Sequence, residues 1–192
     1  DPKALFNLAV LYEKGQGVMQ DYTKAKEYYE LALALGNKNG LTNLAIFYEK
    51  GYGVKQDFVK AKYYYELASE NGDPNGLTGL GFLYETGRGV IQNYDKAREF
   101  YEFAASAGNT TALTNLGYLY DRGLGVKQDF IKAREYYQKA SAQGNSIALF
   151  NLGLLYEKGR GVKEDYFKAI EYYKLSASFG NSKANEKLRI LQ

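Results

Sequence analysis

The sequence predicts an all-α solenoid, a stack of helix–loop–helix units that share one continuous core. Three observations carry this reading. The stretch "ALFNLAVLYEKGQGVMQDYTKAKEYYELALALGNKN" from Ala4 recurs in register at Gly40, Gly76, Ala112 and Ala148, a period of 36 residues without insertions. Within each copy, apolar residues recur at helical spacing on both sides of a Gly-rich break. One such hairpin is too small to bury its own apolar face, so neighbouring copies must cover one another. The copies span 4–39, 40–75, 76–111, 112–147 and 148–183, and a shortened sixth covers 184–192.

The first half of each copy reads as an amphipathic helix. Leu stands at repeat positions two and five, as Leu5 and Leu8 do in the first copy. Position six is small (Ala9, Ala45, Gly81, Gly117, Gly153) and position nine is always Tyr (Tyr12, Tyr48, Tyr84, Tyr120, Tyr156). At about 100° per residue these positions share a face, and the small residue lets a second helix approach closely. The second half opens on Asp21, Asp57, Asn93, Asp129 or Asp165, whose side-chain oxygens suit a helix N-cap. An Ala follows four residues later, then a Tyr four residues beyond it (Tyr29, Tyr65, Tyr101, Tyr137, Tyr173), again on one face. Gly36, Gly72, Gly108, Gly144 and Gly180 are placed to close these helices in a left-handed conformation.

Between the halves lies Gly-x-Gly-Val: 15–18, 51–54, 87–90, 123–126 and 159–162. A phosphate loop would feed a helix directly and carry a cation to finish the site. Here two residues intervene before a capping acid that would repel phosphate. The motif therefore reads as a turn: its first Gly ends the first helix, its second reverses the chain, and Val18 and its equivalents tuck into the core. Only the middle residue (Gln16, Tyr52, Arg88, Leu124, Arg160) is left free for recognition.

Composition narrows the chemistry. There is no cysteine and no histidine, which removes disulfides, thiol chemistry, the commonest general base and the commonest metal ligand. No metal or cofactor site is expected. The net charge of +3 comes with a mild basic drift, 12 acidic and 11 basic residues in 1–96 against 10 and 14 in 97–192. A nucleic-acid binder shows a sharper basic stripe, so none is expected as a partner. No apolar run approaches 18 residues, so no membrane span is expected. The segment carries no signal-peptide pattern. Its lack of cysteine fits a reducing, cytoplasmic setting without fixing one.

The pattern Leu-small-x-x-Tyr-x-x-Gly-x-Gly-Val-x-x-Asp-aromatic-x-Lys-Ala-x-x-aromatic-Tyr-x-x-Ala, closed by Gly-Asn, resembles the Sel-one-like repeat (SLR) family. The fourth copy shows it as "LGYLYDRGLGVKQDFIKAREYYQKA" (116–140) before Gly144-Asn145, and the likeness covers 4–183. Gly40 and Gly76 replace an opening Ala, Ser176 an Ala, and Asn93 the capping Asp. The resemblance extends to tetratricopeptide repeats. It implies a right-handed superhelix whose first helices line a concave groove, and non-catalytic work as scaffold or adaptor with a protein or peptide partner. The family's secreted branch carries cysteine pairs in each repeat, and this cysteine-free chain is not expected to belong to it. Because "DPK" at 1–3 matches the inter-repeat "DPN" at 73–75, the chain is expected to be a fragment of a longer protein. "ANEKLRIL" (184–191) reads as a terminal cap, with Leu188 and Leu191 over the last seam.

Binding is expected where packing leaves the first helix free. Position seven, opposite the packed face, should be the most solvated, yet it carries Val10, Ile46, Phe82, Tyr118 and Leu154. Position three adds Phe6 and Phe150. These form the apolar spine of a groove or, alternatively, pack against the next repeat's first helix. Asn7, Asn43, Asn115 and Asn151 occupy position four, interrupted by Gly79. The tetratricopeptide resemblance implies that they bond a bound peptide's backbone; otherwise they satisfy their own neighbours. Position ten is always acidic, and position eleven carries Lys14, Lys50, Arg122 and Lys158. Such rows read as a solvated face that steers a charged peptide. The leading expectation is a protein-interaction module. A structural spacer, self-associating through the ends of the array, is the alternative. An Asp/Glu hydrolase is disfavoured by five equivalent acids without a unique cleft.

Overall fold

The computed structural model describes residues 1–191, and among them the fold is all helical. The helices are α1 (Pro2–Lys14), α2 (Tyr22–Ala34), α3 (Leu41–Lys50), α4 (Phe58–Glu70), α5 (Pro74–Thr86), α6 (Tyr94–Ser106), α7 (Thr110–Arg122), α8 (Phe130–Ser141), α9 (Ser146–Glu157), α10 (Tyr166–Ser178) and α11 (Ser182–Leu191), with a 3-10 turn at Lys38–Gly40. The chain divides into two compact units, Asp1–Phe100 and Tyr101–Gln192, and the division falls inside α6.

The ends of the helices follow from the sequence signals. Asp21 Oδ1 accepts from the Lys24 amide at 3.0 Å, and Asp57, Asn93, Asp129 and Asp165 repeat this bond. Gly15 closes α1 at φ 66°, a conformation that costs a side chain energy but not glycine. A second clamp secures each turn. The capping residue's amide donates back to the position-nine Tyr carbonyl, 3.0 Å for Asp21 to Tyr12. The Gln before the cap (Gln20, Gln56, Gln92, Gln128) donates to the position-ten carbonyl at 2.7–2.8 Å, one of the carbonyls a helix end leaves unpaired.

In the first unit, one core cluster joins Ala9, Ala25 and Tyr29 to Leu44 and Phe47 of the following repeat, and another joins Ala45, Tyr48, Ala61 and Tyr65 to Leu80 and Leu83. In the second unit, Leu113, Ala133, Tyr137 and Ala140 pack with Ala148, Leu152 and Leu155. Ala169 and Tyr173 pack with Ala184, flanked by Leu188 and Leu191 of α11. Each cluster takes its residues from two successive repeats, as stacked hairpins that cannot fold singly require. The position-nine Tyr lies within one cluster as Tyr48 and at the edge of the others as Tyr12, Tyr120 and Tyr156. It stacks on an aromatic ring of its own second helix, 5.6 Å for Tyr12–Tyr28, and a Lys from the first turn of that helix sits over it, 5.2 Å for Lys24. This explains the Lys of the Lys-Ala pair: its charge covers a ring face.

Candidate interaction surface

The acid at position ten turns out to be structural. Its backbone ends the first helix, and its side chain meets the Tyr hydroxyl at the middle of the second. Tyr29 Oη donates to Glu13 Oε2 at 2.5 Å. Asn43 Nδ2, from the next repeat, donates to the same oxygen at 3.0 Å and to Tyr29 Oη at 3.1 Å. Tyr65 Oη donates to Glu49 Oε2 at 2.7 Å, Lys50 pairs with Glu49 at 2.5 Å, and Glu49 is only 4% exposed. Tyr173 Oη donates to Glu157, which also accepts from Lys187 at 2.7 Å. The row expected to face solvent is thus drawn inward, because a buried phenol needs an acceptor. Burial, reinforced by the neighbouring carboxylate, holds the pKa of Tyr29, Tyr65 and Tyr173 far above the ordinary phenol value.

The fourth repeat departs from this pattern. Its acid is Asp121, one methylene shorter than Glu; Asp121 Oδ1 is buried without a hydrogen-bond partner, and the Tyr137 hydroxyl, towards which the Asn151 amide is directed, has no acceptor for its proton. Arg160 lies 3.8 Å from Asp121 Oδ1 and Arg122 lies 4.0 Å from Oδ2, beyond hydrogen-bond reach. Burial raises the Asp121 pKa even against the charges of Arg122, Arg160 and Lys158. Glu157 is the opposite case. Burial pushes it up, but the hydrogen bonds from Lys187 and Tyr173 and the charges of Lys187 and Lys158 outweigh burial, leaving its pKa below the ordinary value.

The position-seven residues are half-buried rather than fully solvated, except Tyr118 at 38% exposure. Val10, Ile46 and Leu154 pack against the core clusters of their repeats. Phe82 lies between two cations, Lys50 at 5.6 Å and Arg88 at 5.2 Å from its ring centre, and Arg122 sits 5.7 Å from the Tyr118 ring. Phe6 tilts against Tyr29 at 5.6 Å, and Phe150 against Tyr173 at 5.5 Å. Phe150 and Asn151 also line a cavity of about 400 Å³ with Ser146, Asn181 and Lys183. Asn7 is exposed, Asn115 is half-buried, and Asn43 is committed to Glu13 and Tyr29. Lys14, Lys50, Arg122 and Lys158 are exposed.

The middle residue of Gly-x-Gly is less free than its variability suggests. Tyr52 stacks on Tyr22 at 4.7 Å, Arg88 covers Phe58 at 5.6 Å, and Arg160 covers Phe130 at 5.6 Å. Each partner is the aromatic that follows the preceding repeat's cap. The second Gly makes this approach possible. A Cβ at Gly53 would lie 2.6 Å from the Thr23 amide, and one at Gly161 would lie 2.7 Å from Phe130 Cβ. No group of three or more metal-ligating side chains occurs among the described residues.

The repeated hairpins, their shared cores and this recurring turn define a helical-repeat protein. The Sel1 repeat pattern matches residues 2–37, 39–73, 74–109, 110–145 and 146–181, and the chain belongs to the Sel1 repeat family. Members of this family are typically protein-interaction modules and generally non-catalytic. The chain is similar to a Sel1 repeat protein from Oxalobacter formigenes, at 33% identity and TM-score 0.87, over 98% of this chain and 77% of that one. It is similar to a protective antigen of uropathogenic Escherichia coli with an SLR fold, at 35% identity and TM-score 0.79, over 97% of this chain and 40% of that one. An immunity protein from Pseudomonas aeruginosa matches at 30% identity and TM-score 0.70, over 95% of this chain and 67% of that one. No curated protein matches the sequence.

Proposed function

We propose that the chain is a non-catalytic interaction module that binds an extended peptide or a partner helix along the exposed face of its first helices. The observation that carries this reading is the setting of Phe82 and Tyr118. Both are large rings left partly open at a position whose identity varies from repeat to repeat, and both are flanked by cations. Aromatic side chains and arginine are the residue types that dominate binding energy when a partner covers them. Burying such a ring contributes roughly 1.5–3 kcal/mol before ordering costs. The family's typical role as a protein-interaction module supports this reading, and immunity proteins from Pseudomonas aeruginosa are among the similar structures. Phe82→Asp and Tyr118→Asp should abolish capture of a native partner from extract while the far-ultraviolet helical signal persists. Undiminished capture by both variants rejects this surface.

A second reading, a spacer that assembles through its second helices, is favoured by one observation. Val59, Ile131 and Phe167, each two residues after the capping Asp of its repeat, are 67%, 55% and 85% exposed. This reading expects size in solution to grow with concentration without added ligand. A concentration-independent monomer rejects it.

A further inference from the structure

We propose that the seam between the fourth and fifth repeats binds a side-chain carboxylate of an acidic partner segment, through an exchange in which Asp121 gives up Arg122 and Arg160 to the ligand and turns inward to accept the Tyr137 hydroxyl. The proposal rests on the interaction-module reading and adds the chemistry of the partner.

Three observations support it. First, donors exceed acceptors at this seam. Arg122, Lys158 and Arg160 surround one carboxylate, and neither guanidinium is within hydrogen-bond distance of it. The neighbouring acid, Glu157, is already held by Lys187 and Tyr173. A ligand carboxylate offers guanidinium groups the paired, charge-assisted geometry that Asp121, 3.8 and 4.0 Å away, does not supply. Second, Asp121 has somewhere else to go. The Tyr137 side chain is buried with Asn151 as the one amide directed at its oxygen and no acceptor for its proton, whereas in three other repeats the equivalent hydroxyl donates to the equivalent acid. Turning inward satisfies two buried polar atoms at once, so the exchange leaves no charge stranded. Third, charge favours the approach of an anion. Tyr101–Gln192 holds 13 basic and 9 acidic residues, a net +4, whereas Asp1–Phe100 holds 12 and 13, a net −1.

The test uses the full chain and a short fluorescent oligoglutamate peptide, with oligoglutamine as the uncharged control and inorganic phosphate as competitor. Arg122→Gln with Arg160→Gln keeps the side-chain stems over Tyr118 and Phe130 and should weaken oligoglutamate binding about tenfold or more. Asp121→Glu reaches Tyr137 without rearrangement and should tighten binding several-fold. That gain should vanish in the Tyr137→Phe background, a coupling that simple loss of charge does not produce. Thermal unfolding of each variant checks that the fold is retained. Equal affinity after loss of both arginines overturns the proposal, as does weaker binding by Asp121→Glu. Displacement of oligoglutamate by phosphate at the same concentration as by free glutamate peptide shows a general anion site and overturns it too. Phe82 lies in the other unit, so Phe82→Asp separates the two ideas. Lost partner capture with intact oligoglutamate binding upholds both, whereas intact capture by Phe82→Asp, with oligoglutamate binding still weakened by the arginine variant, rejects only the first-helix reading at Phe82.

Discussion

Two seams of one molecule, built on the same pattern, reach different electrostatic ends. Where the first repeat meets the second, Glu13 Oε2, Tyr29 Oη and Asn43 Nδ2 close a three-membered network with each atom within 3.1 Å of the other two. Where the fourth meets the fifth, Asp121, Tyr137 and Asn151 occupy the same positions, yet only Asn151 is directed at the phenol, whose proton finds no acceptor, and one carboxylate oxygen has no hydrogen-bond partner. The change is one methylene. In water it would be trivial. In a buried seam, a hydrogen bond is either within about 3.2 Å or absent, and an unmade one costs the desolvation of both groups. One repeat architecture thus serves stability at one seam and leaves unspent hydrogen-bonding capacity at another.

The comparison breaks most visibly if the acid is removed. Glu49→Ala leaves the Tyr65 hydroxyl buried and unpartnered and should destabilise the protein by about 2–3 kcal/mol. Asp121→Ala, which severs no hydrogen bond of its side chain, should stay within about 0.5 kcal/mol of the parent. Urea midpoints of the two variants decide it: equal losses refute the distinction between the seams. Removing the hydroxyl is the next largest test. Tyr29→Phe should cost about 1–2 kcal/mol, whereas Tyr137→Phe should be close to neutral, because it deletes a buried hydroxyl whose proton has no acceptor.

What the sequence made legible was whatever is local and repeated. The period, the Asp caps, the left-handed Gly15 and the alternation of helices all follow from neighbours within a few residues, and five copies repeat the evidence. What it concealed was the traffic between elements. The position-ten acids looked like a solvated row because their helical angle points away from the Leu face; only the second helix shows that Tyr29 reaches across to Glu13. Replacement of Glu by Asp at 121 looked conservative because charge was kept, yet the shorter carboxylate no longer rests on the Tyr137 hydroxyl. Arg88 and Arg160 looked free because their aromatic partners, Phe58 and Phe130, belong to the preceding repeat. Of the proposed site residues, Asn43 is spent on this internal network, while Phe82 and Tyr118 stay partly open under their cations.

Acidity sharpens the contrast with a smaller effect. Glu157 titrates below its ordinary value of 4.5, so it contributes stability that is present above 4.5 and is lost as the pH falls through its folded pKa. Asp121 titrates above its ordinary value of 3.8, so folded protein binds the proton more readily than unfolded chain, and stability falls as the pH rises from 3.8 through the folded value. Asp121→Asn should therefore raise the thermal midpoint at neutral pH and lose that advantage in acid, whereas Glu157→Gln should lower it at neutral pH and converge on the parent in acid. Midpoints of the three proteins followed from neutral pH to about pH 3 check both signs.

The smallest expected effect lies in the turn of the last repeat. Gln20, Gln56, Gln92 and Gln128 each donate a side-chain hydrogen bond to the carbonyl of the position-ten acid. The equivalent residue in the fifth repeat is Glu164, an acceptor that cannot make this bond when ionised. Backbone geometry there is otherwise the same, since Asp165 still donates its amide to Tyr156 at 3.0 Å and Gly159 keeps its left-handed conformation. Glu164→Gln should restore the bond to the Glu157 carbonyl and stabilise the chain by about 0.5–1 kcal/mol, a typical net value for one exposed hydrogen bond. The reverse change, Gln128→Glu, should cost about the same in the repeat before it. If the two shifts in urea midpoint are not opposite in sign, the glutamine clamp is incidental to the turn, and the backbone bond from the capping residue alone holds it closed.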